Sequence, residues 1–311
     1  MKLLITRHDK IGDFVTMLPV CKVLKEQTGH TVVMLVSSVN ADLARSLDFV
    51  DEVIEYTEES KALIQTIRSY NFDVSISGYI DMTLGKVLFR SGIAMRISPA
   101  TKIAQIFFNK RVRQKRSQVA KREFEYNLDL LKALDTNLIL DFERPLLKVD
   151  EIEKNVKDKD FMIFHPGSGG SSDGNLHADD YWKLAKKAST LLDVVFTFGP
   201  DDKETKAYFI SRISKNTPNI SIRDDFKNIL QFTKFIAYSK FFVSTSTGPM
   251  HLAGLTNTKT LSFFGDTLFA SAKRWGTISD EICQNNFTVP LNYNQALYKQ
   301  IENRLLEQLH E

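Results

Sequence analysis

The sequence predicts an α/β protein made of two parallel-sheet domains facing a central cleft. Short apolar, strand-like runs alternate with helical patterns through the first half, and such alternation builds parallel strands joined by crossover helices. The pattern stops in a charged stretch, Val149 to Asp160, with few large apolar residues beyond Ile152 and Val156, and then starts afresh. Domains over 1–155 and 156–311 follow, with the terminal helix 295–309 free to pack back on the first.

Taken in order, Lys2 to Arg7 is a short buried strand around Leu3, Leu4 and Ile5, and Phe14 to Gln27 is an amphipathic helix with apolar residues at 14, 15, 18, 20, 21 and 24. Strands near 31–38, 52–57 and 72–79 alternate with helices near 40–47, 60–70 and 83–90, and a further helix spans Arg122 to Leu134. After the charged stretch come strand Phe161 to Phe164, helix Asp180 to Leu191, strand Val194 to Phe198, helix Glu204 to Ile213, strand Ile220 to Arg223 and helix Phe226 to Ser239. Strand Phe241 to Ser244, a short helix from Pro249, strand Thr260 to Phe264 and a terminal helix from Gln295 complete the chain. The two halves share no repeat in residue identity, so the duplication is one of architecture.

A length of 311 residues suits two domains of ordinary size, and 43% hydrophobic with 25% charged residues is the composition of a soluble globular protein. No apolar run approaches the ~20 residues that span a bilayer, and the amino terminus enters a strand without a signal-peptide pattern, so a cytoplasmic protein is expected. Cys21 and Cys283 lack the spacing of a metal site or disulfide framework and read as reduced structural thiols. The net charge of +3 is too small to argue for nucleic acid.

The most informative segment is Arg7-His8-Asp9-Lys10-Ile11-Gly12-Asp13-Phe14, followed by Pro19. It places a Gly-Asp pair where the first strand turns into a helix, which is where open α/β folds put their chemistry. Read alone, Asp13 is an N-cap bonded to free amides of the first turn. In the second half, three strand ends carry residues suited to phosphate or ribose. His165-Pro166-Gly167-Ser168-Gly169-Gly170-Ser171-Ser172 offers glycines that let amides approach an anion, with hydroxyl donors beside them. Phe198-Gly199-Pro200-Asp201-Asp202 is the second. The third is Ser246-Thr247-Gly248-Pro249-Met250-His251, where Pro249 fits the first helical position and a diphosphate is met by free amides, the helix dipole and the Thr247 hydroxyl. Taken singly, His165 and His251 also fit structural roles. No Gly-x-Gly-x-x-Gly opens a helix, which argues against a dinucleotide coenzyme site.

These segments, with Glu123-Phe124-Glu125-Tyr126-Asn127-Leu128 between them, resemble glycosyltransferase family 9, the bacterial heptosyltransferases of the lipopolysaccharide inner core. The resemblance implies a GT-B fold of two Rossmann-like domains, with the nucleotide-sugar donor held by the second and the acceptor by the first. It further implies ADP-heptose as donor, inversion at the anomeric carbon, and neither metal nor cofactor. By position, Asp13 resembles the general base, and Ser246, Thr247, Gly248, Pro249 and Met250 resemble the diphosphate site, with His251 in support. His165, Gly167, Ser168 and Gly199 complete the candidate donor residues, and Lys273 and Arg274, beyond strand 260–264, are placed to offset charge on the leaving group. Two departures stand out: Asp173-Gly174-Asn175-Leu176-His177 lacks the basic residue common after the His-Pro-Gly loop, and Ser246 stands where an acid is common.

The run Lys110 to Arg122 holds seven Lys or Arg residues and no acid. It reads either as a solvated loop or as a contact for an anionic, lipid-linked oligosaccharide acceptor or the inner-membrane surface. Ile103, Ile106, Phe107 and Phe108, just before it, dip into the interface on the second reading and join the core on the first. Candidate acceptor residues are therefore Arg7, Lys10, Gly12, Arg111, Arg113, Arg116 and Arg122. The single Asp-x-Asp, Asp158-Lys159-Asp160, reads as solvated linker rather than a metal site. The rival functions are a nucleotide-sugar-binding module without turnover and a sugar-nucleotide hydrolase or epimerase.

Overall fold

The computed structural model describes residues 1–149, 160–167 and 173–310. Most of the expected linker, Ser168 and most of the Asp158-Lys159-Asp160 pattern lie outside these residues. The chain forms two compact units, Met1–Leu146 with Asn228–Leu230, and Leu147–Lys227 with Gln231–Glu311.

The first unit carries strands β1 (Lys2–Arg7), β2 (Thr31–Val36), β3 (Glu52–Glu55), β4 (Val74–Ser77), β5 (Met95–Pro99) and β6 (Lys110–Val112), in the order β3-β2-β1-β4-β5-β6. Every ladder is parallel. Helices α1 (Ile11–Thr28), α2 (Ser38–Arg45), α3 (Ser60–Ser69) and α4 (Met82–Arg90) make the crossovers, and α5 (Glu123–Leu128) follows. The central strands are apolar because a crossover sheet buries both faces: Leu4, Val33, Leu35 and Ile54 pack with Leu63, Leu84 and Leu88 of the helices.

The second unit repeats the plan with β7 (Phe161–His165), β8 (Asp193–Phe196), β9 (Ile220–Ile222), β10 (Phe241–Thr245), β11 (Thr260–Phe264) and β12 (Gln284–Thr288), in the order β12-β11-β10-β7-β8-β9. These ladders too are parallel. Its helices are α6 (Ala178–Ala188), α7 (Lys203–Ile210), α8 (Ile229–Tyr238), α9 (Gly248–Leu255), the short α10 (Ala272–Trp275) and α11 (Gln295–His310). Met162, Phe164, Phe196, Val243, Leu261 and Phe263 form the sheet side of its core. The terminal helix α11 sets Tyr298, Ile301 and Leu305 into this same core.

Four elements differ from the sequence reading. β5, β6 and β12 are strands that the alternation did not show. β6 and β12 are edge strands and carry Lys110, Arg111, Gln284 and Asn286 where a central strand is apolar, as sheet edges require. The expected helix at 122–134 is α-helical only to Leu128 and continues as a 3-10 turn over Asp129–Ala133. Cys21 and Cys283 are both free thiols. No helix among the described residues is long and apolar enough to cross a membrane.

Candidate functional site

In each sheet the connections reverse direction between two neighbouring strands, β1 and β4 in the first and β7 and β10 in the second. A ligand crevice forms at such a point, outside the carboxyl ends of the strands. The candidate residues fall at these two places.

At the first, Arg7 ends β1, and its guanidinium turns toward the end of β4. A Cβ on Gly78 would come within 3.0 Å of Arg7 Nη1 and 2.9 Å of Met17 Sδ, so the guanidinium lies beside this glycine. Arg7 Nη2 donates a hydrogen bond to Asp13 Oδ1, and Arg7 Nε lies 2.8 Å from Asp9 Oδ1. The Arg7 side chain is 4% exposed and that of Asp13 18%. Burial opposes the Arg7 charge, yet Asp13, Asp9 and Glu123 outweigh it and push its pKa above the ordinary value.

The N-cap of α1 is Lys10, in extended conformation and without a side-chain cap bond. Asp13 stands in the first helical turn, where the helix dipole favours a negative charge. Its carboxylate is engaged by Arg7 rather than by the first-turn amides, which displaces the plain capping reading. The Glu123–Leu128 motif braces this arrangement from behind. Asn127 Nδ2 donates to Thr16 O at 3.0 Å and to Thr16 Oγ1 at 3.1 Å, and the buried Glu123 pairs with Arg116.

Several expected acceptor residues have partners within the protein. Arg7 is buried and pairs with two carboxylates, Asp9 and Asp13. Arg116 is committed to Glu123 and bonds Gln114 at 2.9 Å. Arg122 caps α5, its amide donating to Glu125 Oε2 at 2.6 Å, and its guanidinium lies 5.9 Å from the Phe124 ring. Gly12 is buried in the first turn of α1. Lys10, Arg111 and Arg113 are exposed. The basic run is an edge strand and a short turn rather than a loop, and Lys121 within it pairs with Asp129 at 2.6 Å.

At the second switch point, His165 closes β7 and is buried, its Nδ1 2.9 Å from Thr197 Oγ1. Burial pushes its pKa down to about 4, against a weaker upward pull from Asp202, so the ring is neutral near pH 7 and is not a cation for phosphate. A Cβ on Gly167 would strike the Asp202 carboxylate at 1.9 Å, and that carboxylate accepts the Gly199 amide at 2.8 Å. Asp202 thus pins the loops after β7 and β8 together. The Gly199 amide, an expected donor contact, is used within the protein.

After β10, the Ser246 amide bonds Phe263 O at 2.9 Å, which ends the ladder. Thr247 is the N-cap of α9, and its hydroxyl reaches back to Thr245 O at 3.3 Å instead of pointing an open donor outward. The amides of Gly248 and Met250 lie in the first turn, where a helix leaves N–H groups without intrahelical acceptors, and Pro249 between them has none to leave. The imidazole of His251 meets Trp275 edge-on at 6.2 Å, and Arg274 lies over Phe269 and Trp275 at 5.2 and 4.8 Å. Lys273 is exposed beside it. A short chain of rings thus links Arg274 of α10 to His251 of α9.

The segment lacking the expected basic residue has a structural task of its own. A Cβ on Gly174 would overlap the Phe264 and Gly265 backbone at 2.1–2.2 Å, and Thr245 Oγ1 donates to Gly174 O, so this turn rests directly on the end of β11. Asn175 donates to Pro166 O at 3.0 Å and accepts from Tyr181 OH at 2.8 Å. Sequence reading passed over Asp9, Gly78, Gly174 and Asp202 as site residues. Their roles come from neighbours distant in sequence, although Asp9 and Asp202 both stood inside the quoted motifs.

Two open parallel sheets, each with its own topological switch point, are the architecture of the GT-B fold. The model of glycosyltransferase family 9 (heptosyltransferase) matches residues 60–301, and the chain belongs to that family. A Haemophilus influenzae protein named as a candidate glycosyltransferase is 33% identical over 302 residues, covering 90% of this chain and 86% of its own. The lipooligosaccharide heptosyltransferase 2 of Campylobacter jejuni is 24% identical over 283 residues, covering 88% of this chain and 85% of its own. In fold, the E. coli ADP-heptose LPS heptosyltransferase II superposes with a TM-score of 0.82 at 19% identity, over 100% of this chain and 98% of that one.

Proposed function

We propose that this glycosyltransferase moves heptose from ADP-heptose to a lipopolysaccharide-core or related surface-glycan acceptor, with inversion and without a metal. The observation that carries the reading is Asp13, a partly open carboxylate at a topological switch point, fixed by a buried arginine instead of capping its helix. Asp13 takes the proton of the acceptor hydroxyl as that oxygen bonds to the anomeric carbon. The bond from this carbon to the diphosphate breaks, and its electron pair leaves on ADP. The Gly248 and Met250 amides and the α9 dipole meet the developing diphosphate charge, with Lys273 and Arg274 adding positive charge. Relatives named for heptosyl transfer support the donor assignment.

The test is ADP release from ADP-heptose with and without a heptose-free lipopolysaccharide core, in buffer containing a chelator. Release that requires the acceptor and survives chelation is the expected result. Acceptor-independent release identifies a hydrolase, and binding without release identifies a binding module.

We propose further that the first unit meets the anionic cytoplasmic membrane surface. Ile103 is 77% exposed and Ile106 63%, on the turn leading into β6, whereas Phe108 is buried in the core. Lys102, Lys110, Arg111, Arg113 and Lys115 are exposed around that turn. Each basic residue near anionic lipid is worth ~1 kcal/mol, and inserted apolar side chains add to it. Sedimentation with anionic vesicles is expected to be salt-sensitive and to weaken several-fold in Ile103→Ser/Ile106→Ser, while neutral vesicles capture little.

A further inference from the structure

The Asp13 cluster contains a second acid that the proposed reaction leaves without a task. Asp9 lies in the turn between β1 and α1, with its carboxylate on the Nε edge of Arg7 while Asp13 occupies Nη2. One guanidinium therefore serves two carboxylates. Its Nη1 lies beside Gly78, where an added Cβ would come within 3.0 Å of it. The other charged group that acts on Arg7 is Glu123 from α5, itself paired with Arg116, while Asp81 at the start of α4 lies 3.8 Å from the neighbouring His8 Nε2. Burial pushes His8 toward its neutral form, with Arg7 adding to this against Asp81. Among the described residues no ion pair brings a second cation to Asp9 or Asp13.

We propose that Asp9 is a positioning residue for the base: it locks Arg7 toward Asp13 and leaves the three-residue cluster one negative charge in surplus, so that taking up the acceptor proton is favoured. The inference rests on Asp13 as the base. A carboxylate paired one-to-one with arginine is electrically satisfied and abstracts a proton poorly, whereas two carboxylates on one cation share a surplus that a proton relieves. Consistently, burial first and Asp13 second push the pKa of Asp9 up to about 6 against the pull of Arg7.

The test is the pH profile of kcat/KM, measured by acceptor-dependent ADP release for the wild type, Asp9→Asn and Asp9→Glu. In Asp9→Asn, kcat is expected to fall about tenfold and the acid limb to move at least about one pH unit lower, because Arg7 is left to Asp13 alone. Asp9→Glu keeps the charge and is expected to return the limb to its wild-type position. An acid limb unmoved in Asp9→Asn, at an unchanged melting temperature, overturns the proposal. Carboxyl titration of the [4-13C]aspartate-labelled wild type gives an answer that needs no folded Asn variant. The resonance absent from Asp9→Glu is expected to titrate near pH 6, and a midpoint in the ordinary carboxylate range overturns the proposal. Failure of the base reading is distinguished by Asp13→Asn, which then retains turnover. With Asp13→Asn inactive and the limb unmoved, only the role of Asp9 falls.

Discussion

The two sheets share one strand order and opposite chemistry at the same place. Where β1 meets β4, the first places Arg7 between Asp9 and Asp13, a dense cluster of buried charge. Where β7 meets β10, the second places a neutral histidine, close-packed glycines and the open start of α9, with its cations set aside on α10. Topology thus selects the location, and the few residues after each strand select what happens there. A proton acceptor needs a carboxylate fixed in place by its neighbours. A diphosphate site needs amides and little bulk.

The sharpest way to break the comparison is Asp13→Asn, which is expected to lower kcat about 10²–10⁴-fold with little change in melting temperature. A loss below tenfold returns Asp13 to a structural role. On the second side, the folded protein holds His165 neutral down to about pH 4 while the unfolded chain takes up a proton near pH 6.5. The unfolded state binds more protons between these values, so stability is complete above pH 6.5 and falls by about 1.4 kcal/mol per unit as pH drops toward 4, about 3 kcal/mol in all. Denaturant unfolding at stepped pH is expected to show this slope, reduced in His165→Gln.

Gly174→Ala is expected to cost about 1–3 kcal/mol in the same unfolding experiment, since its Cβ meets backbone rather than a side chain that can give way. The smallest effect is that of Lys273→Ala/Arg274→Ala, roughly tenfold in kcat, read from ADP release. Unchanged turnover removes α10 from the leaving-group site and leaves the second half dependent on helix amides alone.

The β1–α1 turn, the β7 turn and the start of α9 were legible because each couples an apolar strand run to small or acidic residues before a helical pattern. The edge strands β6 and β12 were not, because an edge is protected by the same charged and polar residues that mark a loop. The basic run Lys110 to Arg122 looked uniformly cationic for a related reason. The acids that neutralise Arg116 and Lys121 are Glu123 and Asp129, which lie just past its end and are brought back by α5 and the 3-10 turn.

By itself the sequence determined two parallel α/β units and the turns that carry their chemistry, since strands buried on both faces have to be apolar and the residues after them are free to be otherwise. Tertiary structure alone decided which side chains act together. Arg7 meets Gly78 because β1 lies beside β4, and Asp202 settles on Gly167 because the β8 turn lies beside the β7 turn. Partnership of that kind is set by strand adjacency, which no local pattern records.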